Sequence, residues 1–166
     1  MDNETRLHLP LIVQCCLFIL PVNIYVIGNW LGAGVQWILF RYQQTYVADS
    51  LIPFFRDLGY VQLGALTGKS AISAEISFIA TLCLVSATIV LVTATMNRNI
   101  PLGKIAAIIT IFGGFLFLVA DATQYGILFN GPAGFVLPVG IPLMIVSGYL
   151  AFITDFSSSN MSESEE

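Results

Sequence analysis

Histidine is almost missing from this chain: His8 is the single one among 166 residues. A haem held by two histidines is therefore excluded within one copy. So is any multi-histidine zinc, copper or di-iron centre, and no metal or cofactor is expected. Cysteine is scarce too, with Cys15 and Cys16 adjacent and Cys83 far from both. Neighbouring cysteines on a helix point in different directions and form no relaxed disulfide. No Cys-x-x-Cys pair exists for thiol exchange, so all three read as apolar packing residues. Charge is the third scarcity. Charged residues make up 10% of the chain against 57% hydrophobic, where a soluble domain carries about 25% charged. Six Lys and Arg within a net charge of −4 exclude a basic nucleic-acid surface.

What the chain does have is apolar runs of bilayer length. A span needs about 20 apolar residues, and the runs at about 9–30, 71–96, 105–129 and 135–153 approach or exceed that. The expected fold is an all-α integral membrane protein: a compact, multi-pass four-transmembrane-helix bundle, with residues 1–154 as a single membrane domain. Pro10 suits a first helical turn, and Pro21 inside the first run predicts a kink. Residues 31–70 mix aromatics with charges. Leu31, Val35, Ile38 and Tyr42 are spaced to share one helical face, so 31–70 reads as an amphipathic interfacial connection between helices 1 and 2. Residues 155–166, with Asp155, Glu163, Glu165 and Glu166, read as a disordered acidic tail. Asp2 and Glu4 beside Arg6 do not suit a signal peptide, so the first run is expected to be a permanent helix. Arg98 and Lys104 flank the short hinge between the second and third runs. By the positive-inside rule, this hinge and both termini are expected on the cytoplasmic side of the cell membrane.

Small residues recur at intervals of seven. They are Ser73, Ala80, Ala87 and Ala94 in the second run, then Ala106, Gly113 and Ala120 beside Ala107, Gly114 and Asp121 in the third. Gly134, Gly140, Ser147 and Gly148 follow at nearly the same interval. Seven residues are two turns of a slightly underwound helix, so each set forms a lengthwise seam. Close backbone approach is the main packing force available in lipid. Ala80, Ala87, Gly113, Gly114, Gly140 and Gly148 are the expected helix-packing positions.

One acid interrupts the third run. Asp121 lies roughly 12 Å inside the end at Phe129, at 1.5 Å per residue, and an acid at membrane depth normally faces protein or water. Gln124, three residues on, can share its face. Glu75, Asn23 and Asn29 belong to the same half of the membrane. Asp121, Gln124, Glu75, Thr81 and Asn29 form the candidate intramembrane polar site. It serves either as an interhelical hydrogen-bonding centre, meeting Thr81, Ser77 or an Asn, or as a site for a proton, cation or polar ligand.

Other chemistry finds little support. The stretch "GALTGKS" has one residue too few between Gly64 and Gly68 for a phosphate-binding P-loop. Lys69, Ser70 and Ser73 lack the signature of an oriented base and an oxyanion hole. No catalytic residue is assigned. The expected function is non-enzymatic: a small structural, accessory or regulatory membrane component, alone or in a larger complex. The alternative is a small oligomeric transporter or channel using Asp121 and Glu75. The expected partners are the lipid bilayer and either a second copy or another membrane protein.

Overall fold

The computed structural model describes residues 3–28 and 30–154; the acidic stretch 155–166 lies outside them. It is not an all-α bundle. Five helices combine with a six-stranded antiparallel sheet. The departure begins at Pro21. Helix α1 (Asn3–Ile19) starts ahead of the apolar run, with Pro10 inside it, and ends before Pro21 instead of kinking through it. A proline disfavours helical geometry in the residue before it. The segment that follows, Asn-Ile-Tyr-Val-Ile, is rich in β-branched and aromatic side chains that suit a strand. It forms β1 (Asn23–Ile27).

The expected amphipathic connection is mostly strand as well. β2 (Gly32–Gln36), β3 (Phe40–Thr45) and β4 (Asp49–Pro53) follow in successive antiparallel hairpins. Only α2 (Phe54–Gln62) is helical before the next long helix begins. The spacing of Val35 and Tyr42, which imitates a helix face, has another cause. These two residues sit opposite each other across the β2–β3 hairpin. Gly32 and Gly34 also weigh against helix there. β5 (Asn130–Gly131) and β6 (Gly134–Leu137) arrive from the far end of the chain, and β6 pairs with β1. The strand order is β4-β3-β2-β1-β6-β5. Gly134 makes this junction possible. Its φ is +119°, and a Cβ there would overlap the Val26 carbonyl, so glycine is required.

Helices α3 (Lys69–Met96) and α4 (Ile100–Tyr125) are long and apolar enough to cross a membrane. At 1.5 Å per residue they reach about 42 and 39 Å. α5 (Ile141–Ile153) has 13 residues and reaches only about 20 Å, short of a hydrocarbon core of about 30 Å. The first and fourth apolar runs are each divided between a helix and a strand. Among the described residues, two helices rather than four therefore meet the length for a span. Asn99 caps α4 by accepting from the Leu102 N–H, with Pro101 in the first turn. α1 and α5 pack beside the α3–α4 hairpin, around Leu17, Leu84, Phe117 and Met144. The β2–β3 loop enters the same core. Ile38 is 1% exposed, and its carbonyl accepts from Thr81 at 2.9 Å. Trp37 Nε1 donates to the Ile19 carbonyl at 2.9 Å, and Phe54 stacks on Phe78. These contacts hold the sheet over one end of the helices.

Candidate functional site

Buried polar side chains gather at two places. The first is Gln14 on α1, which is 1% exposed. Its Nε2 donates to Thr88 Oγ1 on α3 at 3.2 Å. Its Oε1 accepts from Thr110 on α4 at 3.4 Å and from Ser147 on α5 at 2.7 Å. One amide thus ties four helices together.

The second place is where the sheet meets the helix ends. Asn23 opens β1 and donates from Nδ2 to Asp121 Oδ1 at 2.8 Å, with both residues buried. The bond joins β1 to α4. Strand alternation and register put Asn23, Tyr25, Gln36, Arg41 and Gln43 on one face of the sheet. Ile24, Val35, Tyr42, Leu51 and Leu137 form a cross-strand row on the other. The usual arrangement, apolar inward and polar outward, is inverted. The polar face is covered by the helices, while Leu51, Leu137 and Ile24 stand exposed.

Between the polar face and the helix ends lies a cavity of about 240 Å³. Arg41 and Asp57 of α2 form an ion pair on its wall, at 2.6 Å. Gln36, Gln43, Gln124, Ser70 and Tyr125 also face it. Tyr25 reaches it because Gly34, directly opposite, has no side chain; a Cβ at Gly34 would overlap the phenol end. Burial pushes the Tyr25 hydroxyl above its ordinary pKa, with the nearby Arg41 guanidinium opposing. Burial raises the Asp57 carboxyl as well, against the pull of Arg41. Four buried polar atoms have no hydrogen-bond partner: Tyr25 Oη, Arg41 Nε, Asn23 Oδ1 and Asp121 Oδ2. Among the described residues, no three His, Cys, Asp or Glu side chains converge as metal ligands.

The residues singled out in the sequence are distributed unevenly. Asp121 and Gln124 both lie at this end of α4, and Gln124 is on the cavity wall. Thr81 is engaged with the Ile38 carbonyl. Glu75 is exposed on α3 and is not part of the cavity lining. Asn29 lies outside the described residues. Ala80 and Ala87 are fully buried. A Cβ on Gly113 would meet Leu84 at 3.1 Å, on Gly114 the Met144 Cβ at 3.1 Å, and on Gly148 the Ala107 carbonyl at 3.0 Å. Gly140 is the N-cap of α5, against Pro21 and Val22. His8, Cys15 and Cys16 are exposed, and the three cysteines are free.

Gln14, Tyr25, Arg41 and Asp57 are among the residues of these centres that escape the sequence reading as sites. Gln14 had a signal, being the one strongly polar side chain between Leu9 and Val22, and the rule that marks Asp121 marks it equally. The Arg41–Asp57 pair becomes visible only once the hairpin register is known. The chain matches no protein-family model and no curated protein, so the chemistry of these residues stands on its own.

Proposed function

We propose that this chain is a membrane-embedded, non-enzymatic structural, accessory or regulatory component. The α3–α4 hairpin holds it in the bilayer, and the sheet is presented at one membrane face. One observation carries the reading: Gln14 of α1 and Asp121 of α4, buried polar side chains, each bond to neighbouring elements of the chain. Gln14 bonds to α3, α4 and α5, and Asp121 bonds to Asn23. Groups engaged in this way fix elements together, whereas a transport site needs groups that exchange partners with their cargo. Residence in the bilayer is supported by the helix exteriors. Ile79, Ile89, Ile108, Phe115, Ile145 and Phe152 are exposed, an apolar surface that water covers poorly and lipid covers well.

The α3–α4 turn, with Arg98 in it and Lys104 shortly after the start of α4, faces the cytoplasm in this reading, and the sheet faces the opposite side. Single cysteines at Asn99 and Val47, in a background lacking the native ones, test the orientation. Position 47 should be labelled from outside intact cells and position 99 should not; the reverse pattern overturns it. For the accessory role, the full chain is purified in mild detergent and its mass and companions are determined. A defined complex with a second copy or with another membrane protein is expected. A lone protomer that carries protons or cations across reconstituted vesicles would contradict the role.

A further inference from the structure

We propose that the cavity beneath the sheet binds a small uncharged, hydroxyl-rich molecule, either a polyol or monosaccharide or the same group borne on a lipid. The chemistry of the wall selects this class. Its one cation and one anion, Arg41 and Asp57, are already paired with each other at 2.6 Å. A ligand with net charge would leave water without gaining an unspent counter-charge. One donor nevertheless remains unanswered. The Tyr25 hydroxyl is buried beside the Arg41 guanidinium, from which its oxygen can accept, and its own O–H proton has no acceptor. Tyr25 is 4% exposed and borders the cavity. An O–H donor on the cavity wall with no acceptor calls for an acceptor oxygen from whatever fills the cavity.

The rest of the wall suits the rest of such a molecule. Gln36, Gln43 and Gln124 each bring a carbonyl that accepts and an amide that donates. A hydroxyl also does both, so a ring of hydroxyls can be matched group for group by side-chain amides. Size agrees. A volume of about 240 Å³ corresponds to about eight waters at about 30 Å³ each, which is room for a monosaccharide. Tyr25 and Tyr125 supply ring surface for its C–H groups. Ser70 and Ser73 in the first turns of α3 line the cavity, which puts it beside an apolar helix, within reach of a lipid-borne headgroup as well as of a free molecule.

The test uses the full chain in an amine-oxide detergent, which carries no sugar. Saturation-transfer NMR and calorimetry are run with D-glucose, D-galactose and myo-inositol, and separately with hexyl glucoside below its micelle concentration. Saturable binding of at least one neutral probe is expected. Tyr25→Phe removes one unpaired donor and keeps the ring, and Gln43→Ala removes one amide. Each should weaken binding about tenfold while thermal unfolding shows the fold intact. Hexyl glucoside binding far more tightly than glucose, with the same response to both variants, identifies a lipid headgroup; equal affinity identifies a free molecule. The proposal is overturned if none of the four probes binds and water alone fills the cavity. It is equally overturned if both folded variants bind as wild type does, or if inorganic phosphate or glycine betaine binds better than every neutral probe.

Discussion

The two buried polar centres draw on similar side chains and end in opposite states. At Gln14, three hydrogen bonds engage one amide and none of its atoms is left unpaired. At the sheet end, Asn23, Tyr25, Arg41 and Asp121 each keep a buried atom without a partner. The surroundings explain the contrast. Gln14 lies between four helices with Thr88, Thr110 and Ser147 as its polar neighbours, and each of them bonds to it. At the sheet end, strand alternation brings Tyr25, Gln36, Arg41 and Gln43 to a cavity, while Asn23 and Asp121 bond to each other outside its lining. The first centre is a tie; the second has room for a guest.

The tie depends on close backbones, so the largest effect is expected where they meet. Gly114→Leu must push α4 from α5, because even a Cβ would meet Met144 at 3.1 Å. A loss of about 3 kcal/mol is expected, from overpacking. Leu at Ile89, which is 62% exposed, should be nearly neutral. Thermal unfolding in detergent separates the two, and equal effects would mean that α4 and α5 are not closely packed.

Gln14→Leu comes next. It leaves the Ser147 and Thr110 hydroxyls, both buried, without their acceptor, at a cost of about 2 kcal/mol. Tyr25→Phe deletes a hydroxyl that has no partner and should change stability little. If the two substitutions cost the same, the distinction between tie and site fails.

A smaller effect depends on pH. Burial raises the Asp57 carboxyl from its ordinary 3.8, so the folded chain keeps that proton to higher pH than the unfolded chain does. Between the ordinary and the raised value the folded state binds more protons. Stability therefore falls as pH rises through that window and is level beyond it. Asp57→Asn should flatten this slope in melting curves taken upward from pH 3.8; an unchanged slope would assign it to another group.

How much of this was legible in the sequence follows from the same physics. The runs 71–96 and 105–129 correspond to α3 and, less closely, to α4, whose start is moved back to Ile100 by the Asn99 cap and Pro101. The sheet was hidden because the apolar run continues across Pro21 from α1 into β1. Hydropathy alone does not separate a buried strand from a buried helix. The β1–β6 pairing joins Ile24 to Leu137, a long-range choice that no local pattern reports. Asp121 and Gln124 stood out because each interrupts an apolar run. Gln14 interrupts one too and was overlooked. Tyr25, Arg41 and Asp57 depend on hairpin register, which a stretch read as helix could not supply.

Asp121 offers the most direct test of the claim that the polar groups within the helices hold the fold and do not carry cargo. The measurement is thermal stability, together with proton and cation flux in reconstituted vesicles, for wild type, Asp121→Asn and Asp121→Leu. The amide of Asp121→Asn can still accept from Asn23, so this variant should melt with wild type and leave flux unchanged. Asp121→Leu strands the Asn23 amide in a buried place and should lose about 1–3 kcal/mol. An Asn variant that folds as wild type does but abolishes a flux present in wild type would contradict the account.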